Sequence, residues 1–473
     1  MNIPFNGIIR DGVKRLAGAY MLVRRAQRQG ERRAPRRDAS GASLRRLARP
    51  TSNPRDHVLT GTNLVYTKKY NLRIVHEVIR VHGPLSRADV ARHTQLSVQT
   101  VSNLVKELLE LRLVQEGGRR SEGRGAPSTE LTINPDGAYA IGLDLDRDHL
   151  TGVLVDLAGH VRQRMHMEVE TPSPTEVLDL MCGMVESMAK EQGLRVDDLA
   201  GLGVGVPGPM HRDEHGTGYL VNPKAFPGWH DIPLATWLRE RLHMPVYLEN
   251  NALAAAVGER WYGGGRQIGT FFYIYVGSGL GGGLIMNGQP YEGFTGNAGE
   301  IGYLPTVLSR DASAPPTEDA PHVGLHFNMP RLYERLRRGG TAVGTLEELD
   351  VLYAKSHPGM LEWMDDAADH LTALVLAIEY VLDPEAICFG GRLSDRILGG
   401  LMERVARLLP TRRVGGKVSV PRHFLATAGV DAGALGVATL PIYEIFAPAP
   451  RVLLKDKRGS NGGSGLRRSV NSL

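Results

Sequence analysis

Cysteines and long apolar segments are both scarce in this 473-residue chain. The only cysteines are Cys182 and Cys388, and each lies within an apolar stretch. Two buried thiols are therefore expected rather than a disulfide, and a reducing cytoplasm fits this. The same count excludes a zinc site made of several cysteines. No run approaches the roughly 18 apolar residues of a membrane-spanning helix, so no membrane segment is expected.

What the chain does have is an ordinary globular composition with an uneven distribution of charge. Its length exceeds that of one ordinary core, so two or three domains with tails are expected. Residues 1–60 contain 14 basic and four acidic residues, a net charge of +10, which leaves −5 for the rest. This asymmetry indicates nucleic acid at one end of the molecule only. Three interpretations of the basic segment 1–65 stay open. It is a disordered extension, which need not belong to the natural start of the protein, or an arm that adds to DNA binding, or a targeting peptide.

Helix signals begin abruptly after the basic segment. Apolar residues at helical spacing predict a first helix from Asn71 that ends at residues 83–84, a Gly-Pro pair. Ser86 is the expected N-cap of a second helix, with Asp89 at its third position, and Ser97 is the expected N-cap of a third. A hairpin with a basic, glycine-rich tip follows, so three helices and a hairpin predict a winged helix-turn-helix.

We expect this winged helix, residues 66–136, to bind double-stranded DNA. The N-terminal half of the third helix is polar, and in such modules that end meets base edges in the major groove. Amides suit adenine, whereas the arginines of the wing suit phosphates or the minor groove. The predicted DNA contacts are Ser97, Gln99, Thr100, Ser102 and Asn103 in the helix, with Arg119, Arg120 and Arg124 in the wing. The alternatives are a satellite domain with a polar face and a winged helix that binds protein.

A different pattern, strands alternating with helices, starts at Ala140 and continues to about residue 447. This alternation predicts an α/β domain over residues 137–447. The remaining residues, 448–473, are expected to form a flexible tail, since they become polar and rich in Gly and Ser from Lys455 onward.

Several stretches, in the same order, resemble the ROK family, which joins repressors of sugar genes to sugar kinases on a shared fold. They include the helix-turn-helix text SRADVARHTQLSVQTVSNLVKELLELRLVQE and the wing text GRGAPSTELTINP. The resemblance covers roughly residues 70–445. It implies an α/β fold in which an N-terminal winged helix-turn-helix precedes a two-lobed, actin/hexokinase-like (ribonuclease H-like) sugar-kinase domain around a central cleft.

The kinase motifs implied by this resemblance are altered. Residues 144–148 read Asp-Leu-Asp-Arg-Asp where family kinases resemble Asp-x-Gly-Gly-Thr, so the glycines that admit phosphate are missing and two carboxylates are added. Asn250 matches the sugar-contacting asparagine of the family's Glu-Asn-Asp motif, whereas Asn251 occupies the position of the catalytic aspartate. An amide binds a hydroxyl without taking its proton, and loss of a general base lowers the rate about 10²–10⁴-fold. Alternatively, both asparagines only shape a turn. The Gly277–Gly283 turn is interpreted as retained architecture rather than retained nucleotide binding.

Residues 296–303 match the family's Gly-x-Ala-Gly-Glu-Ile-Gly-His. Glu300 is the implied sugar contact, and Tyr303 replaces a histidine that binds sugar and zinc in relatives. Residues 304–330 lack the family's cysteine-rich zinc motif, so neither a metal nor a cofactor is expected. His322 and His326 are interpreted as surface histidines, and Trp229 as a packing residue.

Together these features predict a cytoplasmic, DNA-binding transcriptional regulator of carbohydrate genes, with repression as the leading hypothesis. Its expected effector is a sugar or sugar derivative, and no kinase activity is expected. Cleft closure would reposition the DNA-binding heads. The resemblance implies a homodimer or homotetramer, which favours a roughly palindromic operator. Two alternatives stay open: an active sugar kinase with an added DNA-binding module, and a regulator without a small-molecule ligand that a protein partner controls.

Overall fold

The computed structural model describes residues 64–120, 128–170, 172–213, 219–221, 226, 228–306, 322–416 and 420–448. Among these residues, no helix combines the length and apolar character needed to cross a membrane. The predicted extension 1–65 and tail 448–473 lie almost entirely outside the described residues.

The N-terminal described region is a winged helix-turn-helix. Its helices are α1 (Leu64–His82), α2 (Arg87–Thr94) and α3 (Val98–Glu110), and its strands are β1 (Leu85–Ser86), β2 (Val114–Arg120) and β3 (Ser128–Ile133). The strands form one sheet in the order β1-β3-β2. The predicted cap of α2 is confirmed, because Ser86 and Asp89 form a reciprocal capping box. The predicted start of α1 at Asn71 was late, since the buried apolar stripe begins only at Leu72, within a helix that is already formed.

Lobe 1 is built on a five-stranded mixed sheet in the order β10-β7-β4-β5-β6. Its strands are β4 (Tyr139–Leu145), β5 (His149–Asp156), β6 (Val161–Glu168), β7 (Leu199–Val206) and β10 (Val246–Asn250). Helices α4 (Pro174–Glu191) and α5 (Leu234–Leu242) cover it, and β8 (Met210–Arg212) pairs with β9 (Tyr219–Val221) beside it. The indole of Trp229 is 5% exposed and donates to the carbonyl of Pro172 at 2.9 Å, which confirms its packing role.

Lobe 2 repeats the plan with a second five-stranded mixed sheet, in the order β13-β12-β11-β14-β15. Its strands are β11 (Phe271–Val276), β12 (Leu280–Met286), β13 (Gln289–Pro290), β14 (Ala386–Gly391) and β15 (Arg422–Leu425). Its helices are α7 (Met329–Arg338), α8 (Leu346–Ala354), α9 (Pro358–Leu382) and α10 (Asp395–Arg412). The large apolar core of this lobe lies between α7–α10 and the sheet.

Two further helices, α6 (Asn251–Tyr262) and α11 (Ala432–Phe446), cross each other at close range. The crossing requires glycine at position 436, because a Cβ there would collide with the carbonyl of Ala254 on α6. Since α11 also packs on β4 and β7 of lobe 1, and α6 packs on β11 and β12 of lobe 2, the pair joins the two sheets. The predicted two-lobed α/β architecture is confirmed.

The winged helix packs on the rest of the protein through α1. His76 is 1% exposed, and its ring is stacked on Phe446 of α11 at 5.0 Å between centroids. Arg73 donates to the carbonyl of Ala447 at 3.1 Å. The guanidinium carbon of Arg80 lies 3.9 Å from the centroid of the Trp261 ring, near the C-terminal end of α6. The winged helix therefore contacts both of the helices that join the lobes.

Candidate ligand cleft and DNA-reading helix

Helix α3 turns one apolar face inward and one polar face outward. Ser97 caps it, because its Oγ accepts from the Thr100 amide at 3.1 Å. Gln99 and Asn103 are exposed on one face, and the Gln99 amide donates to the Asn103 carbonyl oxygen at 3.4 Å. The buried face comprises Val101, Leu104, Val105 and Leu108. The five predicted helix contacts thus lie in the first two turns or at the cap, with Thr100 and Ser102 half-buried.

The wing is only partly described. Arg119 and Arg120 are the last two residues of β2, where they stand opposite Thr129 and Ser128 in the hairpin register. Arg124 lies outside the described residues. Two successive arginines thus end strand β2.

A cavity of about 230 Å³ lies between the lobes. All four predicted sugar-binding residues line it: Asn250, Asn251, Glu300 and Tyr303. Asn250 ends β10 and caps α6, with its Oδ1 accepting from the Ala252 amide at 2.8 Å. Its Nδ2 donates to Oε1 of Glu300 at 3.1 Å, so the two residues form a unit across the cavity. Asn251, at 8% exposure, is the first residue of α6.

Glu300 has an environment that disfavours its charge. Burial raises its pKa to about 7, so the carboxyl is partly protonated near neutral pH. Its segment is held to lobe 1 by Asn297, which exchanges hydrogen bonds of 2.8 and 2.6 Å with the backbone of Met210. A Cβ at Gly208 would overlap Glu300 Oε1 and lie 2.9 Å from Asn250 Nδ2, so any side chain there would displace the ends of both residues. The sequence gives no local signal for this contact.

A second buried carboxyl, Glu249, stands behind the cavity wall. Its Oε1 accepts from the Asn250 amide at 2.8 Å, which fixes the backbone of this cavity-lining residue. Burial, with a contribution from Glu292, raises the pKa of Glu249 to about 8. This residue supports the site without lining the cavity.

The β4–β5 turn of lobe 1 and the β11–β12 turn of lobe 2 touch each other. Ser278, in the β11–β12 turn of lobe 2, donates through Oγ to Oδ1 of Asp146 at 2.7 Å. Asp146 lies in the β4–β5 turn of lobe 1, is 2% exposed, and also accepts from the Arg147 amide at 2.8 Å. Both side chains line the cavity, so a direct bond between the lobes stands at its floor.

The histidine predictions require a correction. His322 is not a surface histidine: it lines the cavity, and its Nδ1 donates to the carbonyl of Gly302 at 2.8 Å. Its ring lies 5.7 Å from that of Tyr303, which is 44% exposed. His326 has companions as well, since it contacts Asp366 and His370 on α9. Short sequence spacing missed these contacts because the partners come from elements distant in sequence.

A cysteine-ligated zinc site of the family type does not fit this chain. Its two cysteines are free thiols, buried in separate cores: Cys182 in lobe 1 and Cys388 in β14. Burial raises the pKa of both thiols, which disfavours the thiolate that zinc requires.

Comparison with known proteins finds two family models in the chain. The ROK family model matches residues 140–322, and the MarR family model matches residues 71–125. The uncharacterized protein y4fQ of Sinorhizobium fredii is 30% identical over 386 residues, which are 80% of this chain and 91% of y4fQ.

Two other similar proteins have more informative names. The xylose repressor of Bacillus spizizenii is 30% identical over 239 residues, which are 50% of this chain and 61% of that repressor. The match thus spans less than two thirds of the repressor's length. A ROK family transcriptional regulator, a homologue of the E. coli MLC protein, superimposes with a TM-score of 0.63 at 18% identity, over 82% of this chain and 99% of that one. At that identity the likeness shows the fold alone.

Proposed function

Because the chain belongs to the ROK family, we propose that it is a DNA-binding transcriptional regulator of carbohydrate genes, acting as a repressor. The proposal depends on one observation: a winged helix is packed on a kinase-like domain whose cleft is lined by Asn251, an amide where the family resemblance implies a catalytic aspartate. In this proposal residues 66–136 read DNA and residues 137–447 sense the effector. Residues 1–65 and 448–473 flank them as an extension and a tail.

The exposed face of α3 supports direct reading of bases. Gln99 and Asn103 lie one turn apart on that face, and such amides bond bidentately to adenine. Ser97, Thr100 and Ser102 then contact bases or phosphates, and Arg119, Arg120 and Arg124 contact phosphates or the minor groove. The apolar face of α3 is buried in the module's core, so only the polar face is free for DNA.

The cavity supports a polar ligand of sugar size. Asn250 and Asn251 offer amide groups, Glu300 accepts hydrogen bonds from hydroxyls, and the Tyr303 hydroxyl stands at the rim. The adjacent hydroxyl groups of a sugar both donate and accept hydrogen bonds. A half-enclosed cavity that offers acceptors and donors suits such a ligand. The effector is therefore a sugar or a sugar derivative.

The same cleft opposes phosphoryl transfer. Asn251 lacks the basicity to take a proton from a sugar hydroxyl at neutral pH. The carboxylate of Asp146 stands between the two turns and accepts from Ser278, where a nucleotide phosphate would need donors rather than a negative charge. Effector binding without chemistry follows from these two features.

The proposal includes an assembly and a place of action. We infer a homodimer or homotetramer in the cytoplasm, whose paired heads bind a roughly palindromic operator. The effector favours one arrangement of the lobes, and DNA must then alter effector affinity by the same factor.

The first test is fluorescence anisotropy of the full-length protein with DNA from upstream of its own gene. Unrelated DNA at the same salt concentration is the control, since phosphate contacts alone give salt-dependent binding. We expect preferential binding that one sugar of a panel weakens. Specific binding that no sugar alters would favour control by a protein partner, and sugar-dependent ADP release from ATP would favour an active kinase. If the protein prefers none of the DNA fragments from the neighbourhood of its gene, the proposal that it is a DNA-binding regulator is contradicted.

A further inference from the structure

Three side chains of the metal-ligating type converge beside the cavity, and the proposed sugar site uses none of them. The Nδ1 atom of His326 lies 2.9 Å from Oδ2 of Asp366. The Nε2 atom of His370 lies 3.8 Å from Oδ1 of the same carboxylate. One ligand atom of each residue lies within 4.8 Å of the other two. Ligands about 2.0–2.1 Å from a tetrahedral ion lie roughly 3.3 Å from each other, so the separations suit a common ion.

The fold explains why this cluster, His326 with Asp366 and His370, is held together. Asp366 and His370 are four residues apart on α9, which places them on the same face of the helix. His326 follows the short helical turn Val323–Leu325. Its carbonyl accepts from the indole of Trp363, also on α9, at 2.8 Å. The loop and the helix are thus joined before any ion binds.

Charge also distinguishes Asp366 from its neighbours on α9. Asp365 is paired with Arg404 at 2.7 Å, and Asp369 is paired with Arg412 at 2.8 Å. Within the described part of the chain, the ion-pair partners of Asp366 are the two histidines. All three side chains of the cluster are partly exposed, between 26% and 47%, so an ion has access from solvent.

We propose that this cluster is a binding site for a divalent transition-metal ion of the zinc class. Two imidazoles and one carboxylate suit Zn²⁺, Co²⁺ or Ni²⁺, whereas Mg²⁺ and Ca²⁺ prefer oxygen ligands alone. The fourth position is open to water. This site is distinct from a cysteine-rich motif, because it contains no sulfur and takes two of its ligands from α9.

An ion there fixes one wall of the cavity. The turn before His326 carries His322 and Gly324, and Asn328 follows it, and all three line the cavity. Tying this turn to α9 restricts the wall that faces the effector, so metal and effector increase each other's affinity by the same factor. The proposed metal site does not depend on the proposed function. The coupling between metal binding and effector binding rests on that function.

The test is calorimetric titration of chelator-treated, full-length protein with ZnCl₂, followed by titration with Co²⁺ and visible absorption spectroscopy. We expect the wild type to bind one equivalent more than the double variant Asp366→Asn/His370→Gln, or to bind it at least about tenfold more tightly. The Co²⁺ spectrum should show the intense visible bands of a low-coordinate site with imidazole ligands.

Asp369→Asn is the matched control, because it neutralises a carboxylate of the same helix. That carboxylate is already paired with Arg412. This variant should keep the stoichiometry and the spectrum of the wild type. The Co²⁺ spectrum of the wild type also gives a result that does not depend on the folding of any variant. Equal metal stoichiometry and affinity in the wild type and a folded double variant, or a wild-type spectrum of hexa-aquo Co²⁺ only, would overturn the proposal.

Discussion

Glu300 combines two properties that make effector binding sensitive to pH. Burial raises its pKa to about 7, and its carboxylate is the proposed acceptor for sugar hydroxyls. The sugar hydroxyls are hydrogen-bond donors and stabilise the ionised carboxylate, so effector binding lowers the pKa of Glu300. Below pH 7, where Glu300 is mostly protonated in the free protein, binding therefore releases its proton. Effector affinity should therefore decrease as pH falls, by up to about fivefold between pH 7 and pH 6, because the ionised fraction of a carboxyl with a pKa of about 7 falls from about one half to about one tenth. Calorimetric titration of the effector at pH 6, 7 and 8 measures this.

Two variants separate this effect from other titrations. Glu300→Gln should bind more weakly and lose the step near pH 7, because it cannot ionise. Glu249→Gln should keep the step, because Glu249 does not line the cavity, although its own pKa is raised to about 8. A pH dependence that survives in Glu300→Gln would assign the step to another group.

Asn251→Asp tests whether a single residue separates this chain from a kinase. The variant restores a carboxylate at the start of α6, but Asp146 and Ser278 still bond to each other at the cavity floor. We therefore expect no sugar-dependent ADP release from ATP above that of the wild type. One general base contributes about 10²-fold or more to a rate. A rise of that size in the rate of ADP release would show instead that the nucleotide site is intact.

Helix α3 gives a prediction about sequence specificity. Asn103 is exposed on the polar face, whereas Arg124 is a predicted wing contact that lies outside the described residues. Asn103→Ala should lower the affinity for the preferred operator by about 1–3 kcal/mol and relax base preference there. Arg124→Ala should weaken binding to all sequences similarly and reduce the salt dependence. Anisotropy on an operator and single-base variants measures both, and an equal loss of specificity in the two variants would contradict this division.

Elements were predictable from the sequence where their signals are local. Ser86 with Asp89, and Ser97, marked the starts of α2 and α3 because a cap acts within three residues of itself. The motif residues Asn250 and Glu300 were identified by resemblance, and they meet in one cavity. The bond between Asp146 and Ser278 was not predictable, since it joins turns 132 residues apart and depends on how the lobes pack.

At the scale of the whole molecule, the contact between α1 and α11 should weaken in acid. Burial lowers the pKa of His76 from 6.5 to about 4. The unfolded chain therefore takes up a proton below pH 6.5 that the folded protein excludes until about pH 4, so stability is lost as pH falls through that window. The loss is about 2 kcal/mol at pH 5. Urea unfolding of the wild type at pH 7 and pH 5 measures it.

His76→Leu isolates this contribution from the other histidines. Neither ring nitrogen of His76 has a hydrogen-bond partner among the described residues, so the change removes no such bond. The variant should show a pH dependence about 2 kcal/mol smaller between pH 7 and pH 5. An unchanged difference would mean that His76 titrates normally and that the packing of α1 on Phe446 is looser than described.

Helix α6 connects the cavity to the winged helix. It begins at Asn251 in the cavity and carries Trp261 near its other end, where the Arg80 guanidinium of α1 lies on the indole ring. A shift of α6 on effector binding would therefore change a contact of the DNA-binding head, and such a cation–π contact contributes about 0.5–2 kcal/mol. Coupling between two ligands has to be carried by an element whose arrangement both of them bias.

Arg80→Met tests this link, because methionine keeps an unbranched stem against Trp261 while removing the charge. We expect the factor by which the effector changes operator affinity to fall by about 2- to 30-fold, since that range corresponds to the free energy of the lost contact. Anisotropy titrations with and without effector give this factor, and calorimetry of the effector without DNA is the control and should be unchanged. If the factor equals that of the wild type, α6 is not the link, and α11, which packs against both His76 and the lobe 1 sheet, becomes the element to vary.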